Sequence, residues 1–275
     1  MKTRILAIQL GKNLPFAADD RLFLGEGLFE TIRVDNQRPC YSPLHWQRMK
    51  AAAFVLNIPF DLSLDSWESQ LTQCIEHASL KVTGVKIILS AGGAPRGLTA
   101  QSETSFISFN AFNYLIDTEP LRLITAAWRR DANNPIYQIK SINYLESVIA
   151  RRHAVAAGGD EALFFNLSYH ATETTIANLF IIKNDQIYTP PATSGLLAGI
   201  TRNRILKICA DAKLTCSEAP LCRNQILEAD MVFVSNVIQG IRVVKSLDGI
   251  DVPTEHTLGV LLIHLLQKDN LLNRR

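Results

Sequence analysis

Apolar and polar positions alternate along residues 27–34, and that period-two pattern predicts a strand. Residues 5–9 read as a shorter one, and 85–90 and 105–112 as two more, flanking a glycine-rich loop at 91–97. Between them the apolar spacing lengthens. A helix is predicted from Ser42-Pro43, with serine as cap and proline in the first turn, to about residue 58. A second helix is predicted over 64–79. Residues 113–120 are polar and contain Pro120, so we place a boundary there: a smaller α+β lobe at 1–116 and a larger one at 117–275. The second half predicts strands at 121–127, 161–166, 178–182, 186–188, 231–235 and 242–246. Residues 129–138 read as irregular. Helices are predicted at 142–157, stopped by Gly158-Gly159, and at 201–213, capped by Thr201, with a short one before 231. Leu258, Leu261, Leu262, Leu265 and Leu266 form the stripe of a final helix, facing either the core or a partner.

The composition narrows the class. Of 275 residues 47% are hydrophobic, enough for a sizeable core and too many for a disordered chain. The net charge is +2 with no basic stripe, which argues against a nucleic-acid partner. No apolar run reaches the roughly 18–20 residues that span a bilayer, and the segment after Lys2 and Arg4 is too short for a signal peptide. A cytoplasmic protein is expected. Five scattered cysteines with no CxxC suit reduced thiols, and six histidines without ligand spacing make a metal site improbable.

Three segments could carry chemistry. Gly199-Ile200-Thr201-Arg202 opens a helix, where unpaired amides and the positive end of the dipole make a phosphate cup, although many helices begin with threonine and bind nothing. Lys140 directly precedes an apolar-rich helix. It is either a solvated charge or, if it points into a cleft, a desolvated nucleophile for carbonyls. Glu173 lies just before a strand and reads on its own as an exposed turn residue.

The order and spacing of these segments resemble the class IV aminotransferases, the fold-type IV pyridoxal-phosphate enzymes. The resemblance runs from Gly25-Glu26-Gly27-Leu28-Phe29-Glu30-Thr31-Ile32-Arg33 and His45-Trp46-Gln47-Arg48-Met49 to Lys140-Ser141-Ile142-Asn143. It continues through Gly159-Asp160-Glu161, Glu173 with Asn178-Leu179-Phe180, Gly199-Ile200-Thr201-Arg202 and Glu228-Ala229-Asp230. It implies a two-lobed α+β fold like that of D-amino-acid aminotransferase, a homodimer, and pyridoxal 5′-phosphate between the lobes. It assigns Lys140 as the residue that binds the cofactor covalently and moves the substrate proton. By the same resemblance Glu173 pairs with the pyridine nitrogen and Arg48 grips the phosphate. Ile200 and Thr201 also contact the phosphate, with Ser235-Asn236-Val237 as a second phosphate-side turn in which Asn236 is assigned to the cofactor. Read alone, Arg48 is an exposed helix arginine. Thr174, Ala198 and Val237 depart from the common pattern, and Val237 removes a side-chain phosphate contact.

Three local features lean toward aminodeoxychorismate lyases within this family. Thr31 stands where branched-chain transaminases carry glycine. The loop Gly93-Ala94-Pro95-Arg96-Gly97 offers Arg96 to a substrate carboxylate, with Leu98 where D-amino-acid transaminases carry histidine. Asn134-Pro135 precedes Lys140 as it does in lyases. The expected reaction converts aminodeoxychorismate to 4-aminobenzoate and pyruvate. The alternative is an aminotransferase for branched-chain or D-amino acids. A module that kept the fold and lost activity would have no need of both Lys140 and Glu173.

Overall fold

The computed structural model describes residues 2–5, 21–78, 81, 83–95 and 97–273. The chain divides into two compact units. The first comprises the described residues up to Leu115 together with Ile139–Asn143 and Asn273. Its sheet has the order β1-β5-β4-β2-β3, with β1 at Lys2–Ile5, β2 at Gly27–Asp35, β3 at Arg38–Pro39, β4 at Gly84–Ser90 and β5 at Thr104–Phe112. β1 runs parallel to β5 and the other pairs are antiparallel. The expected strand at 5–9 lies outside the described residues except for Ile5, the last residue of β1.

Leu28, Ile32 and Val34 alternate inward along β2 and meet Met49, Trp67, Leu71, Ile87 and Ile107 in one apolar cluster. Two helices supply Met49, Trp67 and Leu71: α1 (Ser42–Val55) and α2 (Leu64–Glu76). Both end earlier than expected. α1 stops where Asn57 takes a positive φ of 53°, and Ser79 lies outside the described residues. Ser42 is not the cap of α1. Tyr41 is, in the left-handed region at φ 56°, and the Ser42 hydroxyl instead accepts a hydrogen bond from Trp67 Nε1 at 3.2 Å. Ser63 does cap α2, accepting from the Ser66 amide at 3.2 Å.

Chain order would put Lys140 in the second lobe, but backbone pairing ties it to the first. The Phe29 amide donates to the Lys140 carbonyl at 3.1 Å, and the Ile142 amide donates to the Gly27 carbonyl at 3.1 Å. Residues 139–143 thus lie extended along β2, and the following helix, α3, begins only at Leu145 (Leu145–Ala156).

The second unit carries nine strands: β6 (Leu121–Arg130), β7 (Glu161–Asn166), β8 (Ala171–Thr174), β9 (Asn178–Lys183), β10 (Gln186–Thr189), β11 (Cys216–Glu218), β12 (Met231–Asn236), β13 (Gly240–Leu247) and β14 (Ile250–Asp251). β9, β12, β13, β6, β7 and β8 pair in that order, and β8 pairs back to β9 through Glu173 and Asn178, which closes a ring. Each of the six contributes to one cluster that includes Leu123, Leu163, Ala171, Leu179, Val232 and Val244. On the other face of β9 and β12, Phe180 and Phe233 stack at 5.0 Å and pack with Ile205 and Ile208 of α4 (Ile200–Asp211). Leu262 and Leu266 of the last helix (Thr257–Leu272) join them, while Leu261 is 40% exposed, so its buried stripe is narrower than the sequence pattern. The short helix Arg223–Leu227 precedes β12. β6 continues to Arg130, and Pro135–Gln138 forms a 3-10 turn, so most of the stretch read as irregular is ordered. Among the described residues no helix is long and apolar enough to cross a membrane.

Candidate functional site

The first unit presents two faces of β2. On the core side Glu30 is fully buried, because α1 brings two donors over it. Its carboxylate accepts from Arg48 Nε at 2.7 Å, from an Arg48 terminal nitrogen at 2.6 Å and from His45 Nδ1 at 2.6 Å. Burial pushes the carboxyl up, but the Arg48 charge and the hydrogen bonds outweigh it and hold the pKa at about 2. Burial pushes His45 down, so it is neutral at pH 7 and donates from Nδ1, and its Nε2 has no hydrogen-bond partner. Arg48 is therefore a held guanidinium rather than a solvated one, with its side chain 19% exposed. Period-two alternation sends Phe29 and Thr31 to the opposite face, and both are half-buried. Lys140 Nζ stands 4.0 Å from the Phe29 ring centroid, a cation–π contact.

The loop after β4 is held from the same unit. Arg21, 5% exposed, forms an ion pair with Glu26 and donates to the Gly97 carbonyl at 2.6 Å and the Leu98 carbonyl at 3.2 Å. Arg96, expected to meet a substrate carboxylate, lies outside the described residues.

In the second unit Glu173 sits on β8 with its side chain 14% exposed, so it is not the exposed turn residue that its local sequence suggests. One carboxylate oxygen accepts from Arg130 at 3.0 Å. The other accepts from the Leu197 amide at 3.2 Å and from Asn178 Nδ2 at 3.4 Å. Arg130, 4% exposed, also pairs with Glu146 at 3.0 Å and lies over Phe164 at 3.6 Å. Glu146 in turn accepts from Trp128 Nε1 at 2.9 Å and the Tyr137 hydroxyl at 3.3 Å. The result is a carboxylate locked in position beside a buried guanidinium. Sequence reading missed Arg130 and Glu146. Arg130 fell in the stretch read as irregular, and only the structure puts it at the end of β6 and Glu146 in the first turn of α3.

α4 begins differently from the sequence expectation. Gly199, not Thr201, is the N-cap, and no side chain caps the helix. Its first amides are therefore left to another acceptor. Ile200 and Thr201 are buried in the first turn. Arg202 fixes this end by donating to the Pro190 carbonyl at 2.7 Å and pairing with Glu218. A Cβ on Gly199 would come within 2.2 Å of Asn178 Oδ1, and Asn178 cannot swing away because its Nδ2 also donates to the Leu197 carbonyl at 2.8 Å. Gly199→Ala is expected to lower stability by about 1–3 kcal/mol, an overpacking cost. Thermal unfolding of the full chain measures it, and an unchanged melting temperature would refute the close approach. Asn236 ends β12, but its side-chain oxygen accepts from the Ile238 amide at 3.1 Å and the Gln239 amide at 2.8 Å, so that atom is committed to its own turn.

With this geometry in view, comparison with known proteins is informative. The profile of the class IV amino-transferases matches residues 27–247. A solved structure from Legionella pneumophila, named provisionally as a 4-amino-4-deoxychorismate lyase, is 47% identical. It superposes with a TM-score of 0.94 and covers 98% of this chain and 100% of that one. The aminodeoxychorismate lyase of Vibrio harveyi is 26% identical over 251 residues, 88% of this chain and 91% of its own. The branched-chain amino acid aminotransferase of Escherichia coli has a TM-score of 0.83 at 25% identity, over 90% of this chain and 86% of that one.

Proposed function

This chain belongs to the class IV aminotransferases, whose cofactor is pyridoxal 5′-phosphate, and we propose that within them it is a 4-amino-4-deoxychorismate lyase. The observation that carries the reading is the 47% identity to the Legionella protein along almost the whole chain, against 25% to the transaminase. The half-buried Thr31 on β2 and the approach Asn134-Pro135 to Lys140 support it.

The residues fit the cofactor. An uncapped helix start suits a phosphate, and a fixed, charged carboxylate suits a protonated pyridine nitrogen. The roles we propose are those the resemblance assigns. Arg48, Ile200, Thr201 and Asn236, the last through its backbone, serve the phosphate. When bound, the cofactor supplies a carbonyl for the substrate amine and a ring that withdraws electrons as the adjacent C–H bond breaks. Lys140 Nζ would hold the cofactor covalently and, once free, would take the proton from the substrate carbon that bears nitrogen. Glu173 would face the ring nitrogen, and Arg130, Asn178 and the Leu197 amide hold its carboxylate in one direction. Lys140, now protonated, is the donor at hand for the departing enolpyruvyl group. Pyruvate leaves, the carbocycle becomes aromatic, and 4-aminobenzoate is released. Aromatisation supplies the driving force, so the protein has to supply position and one mobile base. We also propose that the working form is a homodimer in the cytoplasm, as the resemblance implies.

The test is a direct one. The holoenzyme is expected to release 4-aminobenzoate and pyruvate in equal amounts from freshly made aminodeoxychorismate. Absence of both products, with amino transfer from a branched-chain or D-amino acid to a keto acid, would overturn the lyase reading.

A further inference from the structure

Ser235 is the fifth residue of β12 and is 2% exposed, yet its hydroxyl has no hydrogen-bond partner. Buried hydroxyls without partners are uncommon, and each calls for a reason. Three observations place this one. Ser235 follows Met231 and Phe233 on the face of β12 that packs against α4. Its register partner across the sheet is Asn178. Asn178 is the residue whose side chain abuts Gly199, the uncapped start of α4. The unpartnered hydroxyl and the unpaired amides of α4 therefore converge on one small region of the second unit. Nearby, Asn236 has its side-chain oxygen engaged in a turn and Val237 has no polar atom to offer.

We propose that Ser235 Oγ is a phosphate ligand, donating a hydrogen bond to the cofactor phosphate at the start of α4, and that it replaces the side-chain contact Val237 cannot make. The proposal rests on the cofactor reading above. It explains why a hydroxyl is kept in an apolar layer: its desolvation is offset only when an anion is bound.

Ser235→Ala separates this role from a structural one, because removing an unpartnered hydroxyl leaves every hydrogen bond of the free chain intact. The cofactor is stripped from the full-length protein and added back, and uptake is followed by the visible absorbance of the lysine-bound form. Ser235→Ala is expected to weaken pyridoxal phosphate binding about 10- to 100-fold, the usual loss for a hydrogen bond to a charged group. Pyridoxal, which lacks the phosphate, should bind both proteins alike. The cofactor-free melting temperature should be no lower in the variant, and Ser235→Thr should restore most of the affinity. Equal pyridoxal phosphate affinity in wild type and Ser235→Ala overturns the proposal, as does equal weakening for both ligands. Wild-type protein that takes up no cofactor at all overturns the cofactor reading, and this proposal with it.

Discussion

The Lys140→Ala protein is expected to fold normally and to lose 4-aminobenzoate release by roughly 10³-fold or more, since one side chain acts as both nucleophile and base. The folded state should survive because main-chain hydrogen bonds seat this segment on β2. The Lys140 carbonyl accepts from Phe29, and its neighbour Ile142 donates to Gly27. Alanine keeps both and forfeits the cation–π contact with Phe29, worth about 0.5–1 kcal/mol at a partly exposed site. Steady-state assay with melting curves alongside separates the outcomes. Activity within tenfold of wild type would remove Lys140 from the chemistry. Inactivity with a collapsed melting temperature would show that the residue supports the fold instead.

Glu30→Gln is expected to have the largest effect on stability. The wild-type carboxylate serves three donors in a buried setting. Glutamine would turn an N–H toward one of them and leave Arg48 without its counter-charge. Breaking a buried pair in this way costs about 3–5 kcal/mol. The folded pKa of Glu30 is depressed, so the carboxylate contributes stability above its unfolded pKa of 4.5 and loses it as pH falls toward about 2. That interval corresponds to about 3 kcal/mol. Wild-type stability should therefore fall between pH 5 and pH 2 more steeply than that of the Gln variant, as seen in denaturant titrations across that range. Parallel curves would refute the pairing. Because the same carboxylate holds Arg48, the variant should also bind pyridoxal phosphate more weakly.

Much of this was legible in the chain. The strands at 161–166 and 84–90 stand out because unbroken apolar or alternating runs have one energetic solution in a sheet. The helix starts were less legible. Ser42 and Thr201 look like caps, but Trp67 claims the hydroxyl of Ser42, and Gly199 takes the cap position ahead of Thr201 under pressure from Asn178. Those are tertiary effects, and they override a local preference worth about 1 kcal/mol. Local chemistry singled out Lys140, Glu173, Ile200 and Thr201 among other readings, and family spacing assigned them their expected roles. What spacing could not reveal was support. Arg130 and Asn178 hold Glu173, and Glu146 holds Arg130, through contacts that cross 43, 5 and 16 residues of chain. The unpartnered hydroxyl of Ser235 is visible only once its neighbours are in place.

The closed ring of the second unit has a consequence for the order of events during synthesis. β13, at Gly240–Leu247, pairs in parallel with β6, which begins at Leu121, and no ring exists until that pairing is made. Until β13 emerges from the ribosome, β6 therefore stands as an open edge. Contacts so distant in sequence form slowly, and exposed edges are adhesive. Nascent chains that expose β6 but not yet β13 should recruit holding chaperones more strongly than released full-length chains.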